Sequence, residues 1–224
     1  MVYQAVAAGQ VPDLRLRRRN MLRDQLQARG IEDELVLEAM GRVKRHLFVE
    51  EALQSQAYSD HALPIGYGQT ISQPFSVAMM SSCLQLQPGM KVLEVGAGSG
   101  YQAAVLAEMG ALVYSVECIK PLYQAALQRL TSLRYFRVKL KLADGSTGWP
   151  EEAPFDRILV SAGGPRVPEA LLQQLADAGL LLMPVGKGRQ DQDLIRVRRQ
   201  GEKFFKQELG RAKFVELVGE HGWK

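Results

Sequence analysis

The sequence predicts an α/β protein with a mostly parallel, doubly wound sheet, and two observations carry that prediction. Between residues 91 and 186, short apolar segments alternate with helical segments of about ten residues, which is the pattern of parallel βαβ units. From residue 187 onwards, two longer segments of strand character follow each other, which predicts an antiparallel C-terminal edge. A glycine-rich turn after the first apolar segment fits a strand that leads into a helix.

We expect a single domain over residues 1–224, with three parts. Residues 1–90 would form an N-terminal helical extension and a loop, residues 91–186 a ligand-binding βαβ core, and residues 187–224 the edge strands. Strands are expected at 92–95, 112–116, 138–142, 157–161 and 180–184, helices at 101–109, 121–131 and 168–176, and edge strands at 193–199 and 204–217.

Helix start and stop signals organise the N-terminal extension. Residues 1–12 are small and polar and are expected to form a loose tail. Apolar residues at helical spacing predict a helix over 14–29, and Asp33 is placed to cap a second helix. Residues 46–73 contain several Pro and Gly and are expected to be loop, after which Pro74 occupies the first turn of a third helix.

Composition excludes several classes of protein. Of the 224 residues, 46% are hydrophobic, which is enough to bury a core and excludes an intrinsically disordered chain. No stretch reaches the roughly 18–20 consecutive apolar residues of a membrane-spanning helix, so no membrane partner is expected. The first residues lack a charged segment followed by an apolar one, and a cytoplasmic location is therefore expected.

Charge and cysteine content exclude further classes of partner and of site. The net charge of +4 is concentrated in the two flanks, yet it lacks the dense basic face with interleaved aromatic residues that is typical of nucleic-acid binding. We therefore expect no nucleic-acid partner. Cys83 and Cys118 form no CxxC pair and have no nearby His, which excludes a zinc cluster and a disulfide framework.

The glycine-rich turn predicts a ligand site. Gly96, Gly98 and Gly100 allow the backbone to approach a ligand closely and to direct N–H groups at it. The dinucleotide fingerprint requires a further glycine where Tyr101 stands. Glu94, two residues before the first glycine, would repel a pyrophosphate but suits a ligand that carries positive charge. S-adenosylmethionine has a sulfonium and an ammonium group and no phosphate.

Two more acidic residues follow at the ends of the next two predicted strands. Glu117 is placed to accept hydrogen bonds from both ribose hydroxyls, and Asp144, followed by Gly145, is placed to accept from the adenine amino group. The carboxyl ends of parallel strands meet at one edge of a sheet, so these acids would line one crevice. The ordered set predicts S-adenosylmethionine as cofactor and S-adenosylhomocysteine as product, with nicotinamide binding as the main alternative.

The sequence also excludes some methyl acceptors. Methylation of amino groups in adenine or glutamine favours an Asn/Asp-Pro-Pro-Tyr loop after the fourth strand, but residues 161–165 read SAGGP. Methylation of cytosine C5 requires an activated Cys nucleophile, and neither cysteine lies in a suitable loop. Clustered acids for metal-assisted catechol chemistry are not apparent, which excludes that acceptor class.

Residues 65–74, IGYGQTISQP, resemble the signature loop of the protein-L-isoaspartate O-methyltransferases, in which this loop lies just before the cofactor motif. The resemblance covers nearly the whole chain. Further similar segments are 25–31, 45–49, 144–145, 148–150, 153–156, 184–186, 213–219 and 222–223. Four residues depart from the family pattern: Lys44 and Glu216 replace Pro, and Gly163-Gly164 replace an Ala-rich stretch. Because Gly163-Gly164 lie near the expected acceptor site, the selectivity for the acceptor stays open.

The resemblance implies a Rossmann-like class I methyltransferase fold, no metal, and methyl transfer to the α-carboxylate of L-isoaspartyl residues in damaged proteins and peptides. The methyl ester then closes to a succinimide, whose hydrolysis returns some normal aspartate. Ser72 falls on the family's active-site serine, and Gln69 and Thr70 lie beside it, in contact with cofactor and substrate. We expect the chain to act as a monomer.

The chemistry itself suggests what Ser72 does. A carboxylate is already ionised at pH 7 and requires no base, so the rate depends mainly on alignment, and Ser72 would orient the acceptor by a hydrogen bond. The alternative is that Ser72 only caps the helix that begins near Pro74. Two other functions also remain open: a methyltransferase for RNA or small molecules, and a catalytically silent module that binds S-adenosylmethionine.

Overall fold

The computed structural model describes residues 13–188 and 191–223. The helices are α1 (Leu14–Asn20), α2 (Glu34–Arg42), α3 (Pro74–Cys83), α4 (Tyr101–Glu108), α5 (Lys120–Ser132) and α6 (Glu169–Gln173). The strands are β1 (Leu63–Gly66), β2 (Gln69–Ile71), β3 (Lys91–Val95), β4 (Leu112–Glu117), β5 (Val138–Leu142), β6 (Phe155–Val160), β7 (Leu175–Gly188), β8 (Asp191–Gln200) and β9 (Lys203–Ala212). The tail expected over residues 1–12 lies outside the described residues.

Seven strands form one sheet in the order β5-β4-β3-β6-β7-β8-β9. The pairs among β5, β4, β3, β6 and β7 are parallel, whereas β8 pairs antiparallel with both β7 and β9. The predicted parallel sheet with an antiparallel C-terminal edge is therefore confirmed. From β3 the chain adds β4 and β5 on one side and then returns to place β6 on the other. Such a reversal of strand order opens a crevice at the carboxyl ends of the strands.

Apolar residues cover the sheet on both faces. One cluster packs the N-terminal helices and α3 and α4 together and includes Met40 and Val105, which are fully buried. A second cluster joins α6 to the sheet through Leu171 and Phe155. Strands that are buried on both faces read as continuous apolar runs, which is why the core strands could be predicted from the sequence. Among the described helices, none is long and apolar enough to cross a membrane.

The N-terminal helical extension also forms as predicted. After α1, the helical backbone continues through a π-helical turn (Met21–Leu26) and a 3₁₀ turn (Gln27–Arg29) and ends at Gly30, where φ is 88°. The helix expected over 14–29 is thus confirmed in extent. Asp33 caps α2, since its side chain accepts a hydrogen bond from the Val36 N–H.

Several boundaries differ from the prediction. The helix expected over 168–176 ends at Gln173, and the strand expected at 180–184 spans Leu175–Gly188, because Leu175 already pairs with Phe155 of β6. Residues 46–73, expected to be loop, include the antiparallel hairpin β1–β2, whose strands of four and three residues are too short to show a period. The last edge strand ends at Ala212 rather than at residue 217. The chain then runs beside Gly163, whose N–H donates to the Val215 carbonyl at 2.7 Å. Long-range hydrogen bonds fix this boundary, and local periodicity does not report them.

Candidate active site

The glycine turn after β3 uses backbone angles that other residues rarely adopt. Gly96, Gly98 and Gly100 have φ values of 92°, 53° and 86°, in the left-handed region where a Cβ is strained. The turn is held against β4, because the N–H groups of Gly96 and Ala97 both donate to the Val116 carbonyl, at 2.9 and 3.2 Å. The glycines therefore keep this turn close to the sheet and open to a ligand.

Glu117 lies at the end of β4 and is buried beside the turn. Its Oε2 accepts a hydrogen bond from the Gly98 N–H at 2.8 Å, and its Oε1 accepts one from the Ile119 N–H at 2.9 Å. Each carboxylate oxygen has a second lone pair. The carboxylate is therefore fixed in position and still able to accept hydrogen bonds from two ligand hydroxyls.

Glu94, on β3, is fully buried, and its Oε2 accepts a hydrogen bond from the Ser115 hydroxyl. Its Oε1 has no partner among the described residues. Burial raises the pKa of Glu94 to about 8; the Ser115 bond opposes this rise and the nearby Glu117 adds to it. At pH 7 the side chain is therefore mostly a neutral acid rather than the anion that the sequence suggested.

A cavity of about 760 Å³, open to solvent, lies between the glycine turn, the end of β4 and the β1–β2 hairpin. The hairpin reaches the turn: a Cβ on Gly98 would stand 3.2 Å from Cδ1 of Ile65. Seven of the predicted site residues line the cavity, namely Gln69, Thr70, Ser72, Gly96, Gly98, Glu117 and Gly145. Three others, Glu94, Gly100 and Asp144, are not among its described lining residues.

The cavity residues fit S-adenosylmethionine. Its volume is in the range of small-molecule sites, and apolar side chains such as Val95, Val116 and Ile119 can contact an adenine ring. The Glu117 carboxylate has the free lone pairs that ribose hydroxyls would require. Gly145 lies close to the sheet, since a Cβ there would stand 2.6 Å from Cγ1 of Val95, so only glycine fits at this position. No basic side chain lines this cavity among the described residues, which suits a cationic ligand rather than a phosphate.

Asp144 turns its carboxylate towards the C-terminal segment. Its Oδ1 accepts from the Ser146 N–H at 2.8 Å and from the Ser146 hydroxyl at 2.7 Å, and its Oδ2 accepts from the Glu220 N–H at 2.7 Å. Partial burial would raise the pKa of Asp144, but the hydrogen bonds from Glu220 and Ser146 outweigh it and lower the pKa. Asp144 is thus an anion that ties the chain end to the sheet.

A smaller cavity, of about 360 Å³, adjoins the first one. Its described lining residues are Ala62, Thr70, Ser72, Gln73, Ser76, Ser161, Lys213, Phe214 and Val215. Thr70, Ser72, Ser161 and Val215 line both cavities. Ser72 therefore stands at the boundary between the apolar-walled cavity and the polar one, which is the place where a group moving from one ligand to another would pass.

The helix-cap explanation of Ser72 is not supported by the geometry of α3. The residue at the N-cap position is Gln73, and it makes no side-chain capping bond. The Phe75 N–H, an early donor of the helix, is bound instead by Asp60 Oδ1 at 3.1 Å. The Ser72 hydroxyl is therefore not required to start α3 and can serve a ligand.

The C-terminal segment 213–218 is the part of the site that sequence reasoning missed. Lys213 and Phe214 line the smaller cavity, Val215 lines both, and the next three residues line the larger one. The sequence indicates only that this segment is similar to the family's closing sequence. Its place in the site depends on Gly163, whose carbonyl accepts from the Leu217 N–H at 2.8 Å.

The departure at Gly163 now has a physical reason. A Cβ on Gly163 would stand 2.3 Å from Nε2 of Gln192, so the glycine leaves space for that side chain. Gln192 is buried, and its Oε1 accepts from the Phe214 N–H at 2.9 Å while its Nε2 donates to the Phe214 carbonyl at 3.2 Å. We call this pair of hydrogen bonds the Gln192 clamp. It fixes the wall of the smaller cavity.

The described part of the chain contains no group of three or more His, Cys, Asp or Glu residues that could hold a metal ion. The groups that line the two cavities include the Glu117 carboxylate, apolar side chains and, at the wall shared by both cavities, Ser72. These features match transfer of a group between two ligands held side by side.

Comparison with known proteins decides the family. The model of the protein-L-isoaspartate(D-aspartate) O-methyltransferase family matches residues 17–222. The chain belongs to this family. Protein-L-isoaspartate O-methyltransferase 1 of Syntrophobacter fumaroxidans is 53% identical over 207 residues, which cover 92% of this chain and 96% of that protein. Protein-L-isoaspartate O-methyltransferase 2 of Geotalea uraniireducens is 52% identical over 213 residues, which cover 94% and 97%.

Solved structures agree with the family's methyltransferase fold. A protein-L-isoaspartate O-methyltransferase superposes with a TM-score of 0.84 and 28% identity, over 92% of this chain and 67% of that one. A putative protein-L-isoaspartate O-methyltransferase from Plasmodium falciparum, solved in complex with S-adenosyl-L-homocysteine, gives a TM-score of 0.78 and 28% identity, over 90% and 98%. The family and the fold class predicted from the sequence are therefore confirmed.

Proposed function

We propose that this member of the family is a protein-repair methyltransferase that moves the methyl group of S-adenosylmethionine to the α-carboxylate of L-isoaspartyl residues in damaged proteins and peptides. The observation that carries the proposal is the position of Ser72 on the shared wall of the two cavities. One cavity has the acid and apolar groups that the cofactor requires. The other is polar and contains a basic residue, which suits a carboxylate.

The larger cavity would hold the cofactor through residues already in place. Glu117 accepts from the ribose hydroxyls, and Gly96 and Gly98 let the backbone approach the ligand. Gln69 and Thr70, on β2, would close over it from the hairpin side. The predicted contact between Asp144 and adenine stays a prediction, as do contacts of Glu94 and Gly100, since these three residues do not line the cavity.

When bound, S-adenosylmethionine supplies an electrophilic methyl group on a sulfonium. An acceptor carboxylate is ionised at neutral pH, so no residue has to remove a proton. The chain's task is alignment: Ser72 donates a hydrogen bond to one acceptor oxygen and leaves the other aimed at the methyl group. Holding two reactants in line is worth up to about 7–11 kcal/mol in favourable cases. The resulting ester closes to a succinimide, whose hydrolysis returns some normal aspartate.

Two synthetic peptides that differ only in one L-isoaspartyl or L-aspartyl linkage test the proposal. Each is incubated with the protein and methyl-labelled S-adenosylmethionine, and base-labile volatile methanol is counted. We expect methanol from the isoaspartyl peptide alone. If neither peptide is labelled while calorimetry shows cofactor binding, the acceptor is wrong, and RNA and small acids become the candidates. A cytoplasmic location, action as a monomer, and the absence of a metal and of nucleic-acid or membrane partners stay predictions.

A further inference from the structure

The described lining of the smaller cavity carries positive charge without a balancing negative charge. Among its described lining residues, Lys213 is the one charged side chain, and the rest are hydroxyl, amide or apolar groups. Lys213 is exposed, and no carboxylate among the described residues lies within ion-pair distance of it. The N-terminal end of α3, which contributes Ser76, also borders the cavity, but its Phe75 N–H is already bound by Asp60 Oδ1, so Lys213 is the group that favours an anion here. The cavity is therefore suited to a negatively charged group.

The position of Lys213 is fixed by its neighbours rather than by its own side chain. Phe214, the next residue, is held on both backbone groups by the Gln192 clamp. Val215, two residues on, accepts a hydrogen bond from the Gly163 N–H at 2.7 Å. A cation on a backbone that is anchored at two successive residues stays beside the cavity, although the lysine side chain itself is flexible.

We propose that Lys213 is a specificity-determining residue that attracts the acceptor carboxylate into the smaller cavity and favours release of the ester. The proposal rests on the proposed function, since it names what distinguishes substrate from product at the same site. During transfer a carboxylate oxygen forms the new O–C bond, the C–S bond breaks, and its electron pair stays on sulfur. No proton moves, and the acceptor changes from an anion to a neutral ester.

This loss of charge determines what a nearby cation can do. Lys213 stabilises the anionic acceptor more than the transition state, in which the negative charge is already disappearing. An interaction that is stronger in the ground state lowers KM without raising kcat. The same ammonium has little attraction for the neutral ester, so the product leaves more easily than the substrate. Lys213 would therefore act on binding and release rather than on the chemical step.

The experiment compares two peptides bound to the protein loaded with S-adenosylhomocysteine. One is the L-isoaspartyl peptide; in the other a neutral α-carboxamide replaces the α-carboxylate and stands in for the ester. Kd is measured by calorimetry for the unchanged protein, Lys213→Gln and Lys213→Arg. We expect Lys213→Gln to reduce the preference for the carboxylate by about three- to tenfold, the range between exposed and partly buried charge pairs. Lys213→Arg should keep the preference.

Steady-state kinetics separate this role from a structural one. Lys213→Gln should raise KM for the isoaspartyl peptide by a similar factor, with kcat equal or higher and cofactor Kd unchanged. Lys206→Gln, which removes an exposed lysine of β9, controls for net charge and should change nothing. An unchanged carboxylate preference in Lys213→Gln, or its loss in Lys213→Arg, would overturn the proposal. If the unchanged protein labels no isoaspartyl peptide, the proposed function fails and this inference fails with it.

Discussion

The two walls of the active site are built in different ways. The cofactor wall is formed by the ends of β3 and β4 and the turn between β3 and α4, where each position follows from a strand that is buried on both faces. The acceptor wall consists of the β1–β2 hairpin and the segment 213–218, which belong to no strand of the main sheet. One wall rests on the sheet, and the other is held by a few side-chain and backbone hydrogen bonds.

This difference predicts how each wall responds to substitution. On the cofactor wall, Glu117 accepts hydrogen bonds from the Gly98 and Ile119 N–H groups, so the residue proposed to bind the ligand also shapes the site. On the acceptor wall these tasks are divided: Ser72 and Lys213 face the cavity, whereas Gln192 and Gly163 hold the segment in place. Substitutions on the cofactor wall should therefore weaken cofactor binding strongly. Substitutions on the acceptor wall should affect the acceptor and leave cofactor binding unchanged.

The largest effect is expected for Glu117→Ala. It removes the proposed acceptor for two ribose hydroxyls and releases the N–H groups of Gly98 and Ile119. Hydrogen bonds to charged groups contribute about 1.5–3 kcal/mol each, so we expect cofactor Kd to rise by about 100-fold. Calorimetry with S-adenosylhomocysteine measures the change. Glu151→Ala, which removes an exposed acid, is the matched control, and a Kd within threefold of normal in Glu117→Ala would contradict this view of the cofactor wall.

Next in size is Ser72→Ala, on the boundary between the two walls. Losing one orienting hydrogen bond should lower kcat by about tenfold, since such a bond contributes about 1 kcal/mol or somewhat more. Cofactor Kd should stay nearly constant, whereas Asp144→Ala should weaken cofactor binding, because it removes the hydrogen bonds to Ser146 and Glu220 that hold the chain beside Gly145. Ser132→Ala, at the exposed end of α5, serves as control. Equal loss of cofactor affinity in Ser72→Ala and Asp144→Ala would refute the division of roles.

Gly163→Ala tests the acceptor wall at a residue that is not proposed to contact a ligand. The new Cβ would stand 2.3 Å from Gln192 Nε2 and would displace the Gln192 clamp. We expect KM for the isoaspartyl peptide to rise by about five- to tenfold with cofactor Kd unchanged, because overpacking shifts neighbouring segments. Gly188→Ala is the control, since no atom of the described residues lies within 4 Å of a Cβ there.

A double-variant cycle sharpens this test. Gln192→Ala removes the clamp and the obstacle together, so Gly163→Ala should add little in that background. Full additivity of the two substitutions in KM would show that the clamp is not what Gly163 protects. The cycle also distinguishes a local shift of the acceptor wall from general destabilisation, which would alter cofactor binding as well.

The difference between the two walls also explains how much of the site could be predicted from the sequence alone. The glycine turn and Glu117 were predicted because strand, turn and acid follow each other locally along the chain, and the sheet brings their ends together. The Gln192 clamp could not be predicted, because it joins residues 22 positions apart through side-chain hydrogen bonds that no period or motif reports. Glu94 was placed correctly on its strand, but its burial, and hence its neutral state, depends on packing from both faces.

The smallest expected effect is a change in the pH dependence of stability at Glu94. Its measurement tells whether Glu94 is a buried structural acid or an acid that faces the ligand on the cofactor wall. Burial raises its pKa in the folded protein to about 8, well above the ordinary value of 4.5. Between these two values the folded state keeps a proton that the unfolded state has lost. Stability should therefore fall as pH rises through this window.

Glu94→Gln is neutral at every pH and can still accept the hydrogen bond from the Ser115 hydroxyl. It should therefore escape this loss, and its stability relative to the unchanged protein should increase by about 1 kcal/mol between pH 6 and pH 7. Urea unfolding at the two pH values measures the difference. A difference that stays constant would mean that Glu94 is already ionised in the folded protein. A residue that faces a cationic ligand would be ionised, so this outcome would support a role for Glu94 in cofactor binding.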